Sequence, residues 1–375
     1  MEAPPLGLYV HLPWCIRKCP YCDFNSHEQA QPDEEHYVAR LLTDLEAELE
    51  SIPGREIRTV FIGGGTPSLF SAKSIAKLME GIRSRTLVPI DAEVTLEANP
   101  GSVDSEKFQG FREAGVSRLS IGIQSFNDDS LRALGRVHDA TQAYAAVSIA
   151  KCAGFNNINL DLMHGLPGQS EAQACEDLHT ALSLAPSHIS WYQLTIEQNT
   201  AFFKRPPTLP IEDELANIQD AGEQLLATSG FNHYEVSAYS KPNSECQHNL
   251  NYWQFGDYLG IGAGAHGKLT DEFGTIVRYA KTRKPEHYLA RPQRVSERVL
   301  CEAEIIGEYM MNALRLKAGF DIDTFAQRTG VPYNNVQSRL DQLEERQLLS
   351  RKRDRVVLTN TGWRFLDSVI AEFMA

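Results

Sequence analysis

The sequence predicts an α/β fold: a partial (β/α)6 barrel followed by a smaller α+β, winged-helix-like C-terminal domain. Three observations lead there. Short β-rich runs alternate with longer helical patterns through the first 240 residues, as βαβ units and a parallel sheet require. Nearly every run ends in a polar or Gly/Pro-rich segment, where a barrel carries its site. Beyond residue 300 the helices and strands become shorter and change order.

Strands are predicted over 6–12, 59–64, 93–98, 118–124, 157–163 and 189–195, with helices over 34–51, 71–84, 104–114, 140–153, 170–184 and 212–229. The strands run into HLPWC, GGGTP, EANP, IQSF, DLMHGLP and LTIE. Six loaded segments in succession favour a barrel mouth over ordinary turns. Further on, HYEVSAYS reads as one more strand, and CQHNLNYWQFGDYLGIGAGAHG is Gly- and aromatic-rich without a clear period. This divides the chain into a core barrel (1–235), a connecting region (236–299) and a C-terminal domain (300–375). In the last, FDIDTFAQRTG and NNVQSRLDQLEERQLLS read as two helices joined by a turn at Gly330 and Pro332. RKRDRVVLTNTG then reads as a β-ribbon and WRFLDSVIAEFM as a closing helix.

A winged-helix shape raises DNA binding. The formal charge of −13 and the acidic second helix argue instead for a packing role and for no nucleic-acid partner. With 42% hydrophobic residues a folded core is expected, yet no apolar run approaches the roughly 20 residues that span a bilayer. The N-terminus lacks the basic start and apolar core of a signal peptide, so a cytoplasmic location is expected. The seven cysteines are 15, 19, 22, 152, 175, 246 and 301. An odd count with three close together is no secreted disulfide framework; it reads as a reduced compartment with one metal-binding cluster.

Cys15, Cys19 and Cys22 are spaced CxxxCxxC in HLPWCIRKCPYCDF, and the next cysteine is Cys152. Thiolates suit iron–sulfur clusters, and a [4Fe–4S] cluster with only three of them keeps one iron open. An open iron can chelate the amino and carboxylate groups of S-adenosylmethionine (SAM). The alternative is a structural zinc site with His11 or His27 as fourth ligand. Gly63, Gly64 and Gly65 follow the second strand, where glycine lets the backbone approach a ligand, while Thr66 adds a hydroxyl and Pro67 fixes the turn. Glu97, Gln124, Arg136 and Asp161 lie at or just past later strand ends, converging on the barrel mouth. A branched side chain at Gly64 is expected to weaken SAM binding and leave the iron content near normal.

The segments YVHLPWCIRKCPYCDFNSH, FIGGGTPSL, LEANPG, SIGIQSF, LGRVH, NLDLMHGLPGQ, HISWYQLTIE and CQHNLNYWQFGDYLGIGAGAHG resemble the anaerobic coproporphyrinogen III oxidase family of the radical SAM superfamily. The likeness spans nearly the whole chain and is closest to that family's HemW branch of haem chaperones. It implies a radical SAM core barrel, with Cys15, Cys19 and Cys22 as cluster ligands and Tyr9 and Tyr21 lining the SAM pocket. Gly64, Gly65, Thr66, Glu97, Gln124, Arg136 and Asp161 occupy the family's SAM-contacting positions, shared between two SAM molecules in some members.

The resemblance leaves two functions. An oxidase would use a SAM-derived radical to decarboxylate coproporphyrinogen III; a carrier would bind haem as cargo and pass it to apo-haemoprotein acceptors. Three features favour the carrier. The family's oxidases have a further cysteine where this chain has Phe24. They also carry a longer N-terminal region before the motif. Finally, His248, Tyr252 and Trp253 fit the HNxxYW motif associated with haem binding, in which the imidazole can meet iron and the aromatics can cover the porphyrin face. The plain reading of that motif is a buried histidine beside core aromatics. His266 is a second candidate ligand, and His11 supports the cluster loop. The resemblance further implies an electron donor such as flavodoxin or ferredoxin, and leaves a homodimer and a peripheral membrane contact open.

Overall fold

The computed structural model describes residues 3–374. Six strands form its parallel core: β1 (Leu6–Leu12), β2 (Ile57–Gly64), β3 (Glu93–Ala98), β4 (Arg118–Gln124), β5 (Asn157–His164) and β6 (His188–Gln193). They lie side by side in chain order, every neighbouring pair parallel. Both faces of these strands are buried, with Val60 and Thr59 or Leu119 and Ser120 adjacent in sequence and shielded alike. That is what helices packed on a parallel sheet produce.

The matching helices are α1 (Glu34–Leu49), α2 (Ala72–Arg83), α3 (Ser105–Glu113), α4 (Ala140–Cys152), α5 (Glu171–Ser183) and α6 (Glu212–Thr228). Asp33, Ser71, Asp104, Asp139 and Ser170 cap the first five by accepting a backbone N–H three residues on. These caps explain why the helix starts were legible.

The barrel stays open. Beyond β6 the sheet continues antiparallel through β8 (Ala238–Ser240) to β7 (Asn232–Glu235), so HYEVSAYS is a tight hairpin and not one strand. On its other side β1 pairs in parallel with β9 (Asp257–Ile261). The antiparallel strands β10 (His266–Thr270), β11 (Ile276–Lys281) and β12 (Arg294–Val299) then complete a twelve-stranded sheet. Buried ion pairs tie this extension down: Lys268 to Asp257 at 3.0 Å, and Lys281 to Asp44 and Glu48 of α1. The aperiodic stretch before β9 contains a helix, α7 (Gln247–Trp253), whose seven residues are too few to display a period.

The C-terminal unit has α8 (Glu302–Ala313), α9 (Ile322–Thr329) and α10 (Asn334–Glu345), with the small sheet β13 (Phe320–Asp321), β14 (Leu349–Lys352) and β15 (Arg355–Leu358) in the order β13-β15-β14. Its own apolar cluster gathers Tyr309, Phe320, Phe325 and Leu340. The second helix is shorter than expected because Gln347 takes a left-handed φ of 57°, which ends α10 and turns the chain into β14.

Candidate functional site: a thiol-lined cavity at the strand ends

β1 delivers Cys15, Cys19 and Cys22 to the C-terminal edge of the parallel strands. The loop that carries them is pinned along its length. Trp14–Cys15 pairs with His27–Glu28, His27 N–H bonds Pro13 O at 2.7 Å, and Trp14 packs edge-on against Tyr37. His11 spends both ring nitrogens on Tyr9 Oη and Asn25 O, each at 2.9 Å. It therefore braces the loop, as expected, and is not placed to be a fourth zinc ligand. Asn25 in turn donates to Ala263 O at 2.8 Å and Arg283 O at 2.9 Å. The glycines of GIGAGAHG allow that clamp: Gly264 has φ +82°, and a Cβ there would lie 2.3 Å from the Asn25 side chain. Sequence reading missed Asn25 and this backing segment, because the two lie 238 residues apart.

The glycine triplet docks on the same loop. Gly65 N–H bonds Leu12 O and Thr66 N–H bonds Trp14 O, both at 2.8 Å, and Thr66 Oγ1 donates to Cys15 Sγ at 3.4 Å. Gly64 has φ +118°, and a Cβ there would stand 2.6 Å from the His11 ring; one on Gly65 would meet Trp14 O at 2.6 Å. Glycine is thus required here by the fit between β2 and the cluster loop.

A cavity of about 480 Å³ opens between these parts. It is lined by Cys15, Cys19 and Cys22 together with Tyr21, Gly64, Gly65, Thr66, Glu97, Gln124, Arg136 and Asp161. Residues from six separate stretches of sequence are thereby brought together. Tyr9 is not in that lining: it stacks on Phe61 in the aromatic layer behind. Arg136 donates to Gly122 O at 2.8 Å and reaches Cys19 Sγ at 3.6 Å, leaving its buried Nε without a partner. Gln124 ends β4 with φ 69° and accepts from Tyr192 Oη at 2.8 Å. Asp161 accepts from Ser120 at 2.9 Å and Asn159 at 2.8 Å.

The donor set fits a cluster. Among the described residues no three His, Cys, Asp or Glu side chains gather closely enough for a single metal ion; three thiols line one cavity, the soft donors that an iron–sulfur cluster takes. Burial pushes the Cys15 and Cys22 thiols up, so a bound cation is what would hold them as thiolates. Cys15, Cys19 and Cys22 would hold the iron. The orphaned Arg136 nitrogen and the Glu97–Asp161 carboxyl pair would face the groups of a charged, polar ligand beside it.

Glu97 is pushed up to about 8, by burial first and by the neighbouring Asp161 second, against the pull of the Gly64 N–H at 3.0 Å. Its usual value is 4.5, so between about 4.5 and 8 the folded chain binds more protons there than the unfolded one. Stability from this group is therefore full below that window and is lost as pH rises through it. Glu97→Gln should flatten the fall in the denaturation midpoint of the metal-free chain between pH 5 and pH 8. An identical fall in parent and variant would contradict the assignment.

The haem candidates on α7 sit at the opposite end of the strands. His248, on α7, is buried beneath the strand starts, its Nδ1 2.8 Å from Thr59 Oγ1 and its Nε2 3.0 Å from Tyr252 Oη. It stacks on Phe61 at 5.2 Å, and its backbone N–H bonds Glu93 at 3.1 Å. Burial lowers it to about 3, so the ring is neutral. Trp253 lies under Arg315 at 4.4 Å. His266 is exposed at the start of β10.

Comparison with known proteins agrees with this architecture. Residues 9–181 match the model of the radical SAM superfamily, and residues 300–365 that of the HemN C-terminal domain. The heme chaperone HemW of Haemophilus influenzae is 47% identical over 378 residues, with 100% of this chain and 99% of that protein covered. The heme chaperone HemW of Escherichia coli is 46% identical, with both chains covered in full. Bacillus subtilis HemW is 35% identical, with 98% of each covered. In three dimensions the coproporphyrinogen III oxidase HemN of Escherichia coli superposes with a TM-score of 0.84 over 99% of this chain and 90% of its own, at 21% identity. Membership of the radical SAM superfamily implies a [4Fe–4S] cluster and SAM. The chain belongs to the HemW family of the radical SAM superfamily.

Proposed function

We propose that the chain is a haem chaperone that binds haem and passes it to apo-haemoproteins in the cytoplasm, carrying a cluster and SAM in the thiol-lined cavity. The observation that carries this is end-to-end similarity, at up to 47% identity, to proteins named heme chaperone HemW. Phe24 supports it: the family's oxidases have a cysteine there, and this side chain is 59% exposed at the cavity rim. When bound, the cluster supplies an electron and SAM the group it would cleave. The chain's own part is to fix the thiols through His11 and Asn25, to present Glu97 and Asp161 as hydrogen-bonding carboxyls, and to hold Arg136 between Cys19 and the strand end. A flavodoxin or ferredoxin would supply the electron.

Haem contact by His248, Tyr252 and Trp253 would first require His248 to release Thr59 and Tyr252. The oxidase reading is favoured by one feature, the completeness of the cavity. An anaerobic comparison separates the two. The reconstituted chain should transfer haem to an apo-haemoprotein faster than it releases haem to buffer, and should leave coproporphyrinogen III intact under reductant and SAM. Carbon dioxide release with formation of protoporphyrinogen IX would overturn the carrier reading.

A further inference from the structure

Beneath the thiol-lined cavity the interior of the parallel sheet is polar, and its side chains form one continuous chain of hydrogen bonds. Asp161, in β5 and lining the cavity, accepts from Asn159 Nδ2 at 2.8 Å and from Ser120 Oγ at 2.9 Å. Asn159 Oδ1 lies 2.6 Å from Nδ1 of His188, the first residue of β6, and accepts from Ser190 Oγ at 3.1 Å. His188 Nε2 lies 2.8 Å from Tyr234 Oη, in β7. Tyr234 Oη in turn accepts the backbone N–H of Cys246, which precedes α7, at 3.3 Å.

The direction of the protons along this chain follows from chemistry. Asn159 and His188 are buried, and burial lowers His188 well below its usual value, so the ring is neutral with a single N–H. An ionised Asp161 only accepts, so Asn159 turns its amide nitrogen to the carboxylate and its oxygen to His188. His188 then carries its proton on Nδ1, which leaves Nε2 to accept the Tyr234 hydroxyl. No donor faces a donor, and every group donates toward Asp161. A chain so aligned polarises its last bond.

Glu97 has no such support. Among the described residues its one hydrogen bond is from Gly64 N–H at 3.0 Å. Burial raises Asp161 too, but the bonds from Ser120 and Asn159 and the charge of Arg118, on β4, oppose it. The other titratable groups facing Asp161 are Glu97, from β3, and Tyr192, from β6, which burial holds well above its usual value and hence neutral.

We propose that His188 and Tyr234 are positioning residues for SAM: through Asn159 they hold Asp161 as the charged member of the carboxyl pair, free to accept from a ligand hydroxyl such as those of the ribose, while Glu97 keeps a proton. The inference rests on the reading that SAM occupies this cavity.

The test is the SAM affinity of the reconstituted full chain between pH 5.5 and 8.5, in the parent and in Tyr234→Phe, which keeps the ring and removes the hydroxyl. Without that hydroxyl the charge on Asp161 is held less firmly, so Asp161 takes up its proton at higher pH than in the parent. Tyr234→Phe should therefore match the parent at pH 8.5 and bind roughly threefold or more weakly at pH 5.5. Both proteins contain Glu97, so its own titration cancels in the ratio. His188→Phe, which removes the Nδ1 proton itself, should show the same trend more strongly; should that buried substitution fail to fold, Tyr234→Phe decides alone. A merely structural role would lower affinity equally at every pH. An equal deficit across the range in Tyr234→Phe, or no deficit, overturns the positioning role and leaves the SAM reading standing. A parent that binds no SAM at any pH overturns both.

Discussion

Simultaneous replacement of Cys15, Cys19 and Cys22 by alanine should remove essentially all bound iron, from about four atoms per anaerobically reconstituted parent chain to near none. The same variant should lose the reduced-state electron paramagnetic resonance signal that responds to SAM, and Cys19→Ala alone should suffice. The remaining cysteines do not substitute: Cys246 is buried at α7, Cys175 is half-buried on α5, and Cys152 and Cys301 are exposed on other elements. The thiols are also the least replaceable contacts in the loop, since hydrogen bonds from His11, Asn25 and Gly65 already hold its backbone without metal. The variant should accordingly fold and keep its helical circular dichroism. Iron and spectrum retained in the triple variant would refute the cluster assignment.

Gly64→Val should abolish both SAM binding and most iron binding, with a fold otherwise close to the parent's. The triplet, read from sequence alone, suggested that this substitution would spare the iron. The geometry says otherwise. A Cβ at Gly64 would press on the His11 ring from 2.6 Å, and φ of +118° is strained for any L side chain. His11 anchors Asn25, and Asn25 anchors the cluster loop, so the displacement passes directly to the thiols. Iron content measured beside SAM affinity decides the matter: normal iron with lost SAM would restore the simpler picture. Gly65→Val should act alike, because its Cβ would meet Trp14 O next to Cys15.

Much of this molecule was legible in one dimension because its signals are local. Each parallel strand is a short β-rich run, and the first five of its helices start at a side-chain cap that bonds three residues on; the six strand positions follow to within two residues. CxxxCxxC is local as well. The residues converging with it come from strand ends, and a parallel sheet places all such ends on one edge. Glu97, Gln124, Arg136 and Asp161 could therefore be gathered before any coordinates. Tyr9 shows the limit of this logic. It alternates with residues of β1 that face the other way, and its ring goes to Phe61 behind the cavity.

The six βα units, the thiol motif and the edge that carries the polar residues follow from local signals, since propensity, capping and motif spacing act over a few residues. Contacts between distant segments arise only on folding. It turned GIGAGAHG from an aperiodic stretch into the backing of the cluster loop, through an Asn25 contact across 238 residues. It set His248 under the strand starts with both ring nitrogens engaged. Whether a ring nitrogen is available to a ligand depends on its hydrogen-bond partners, and these are brought together only by folding.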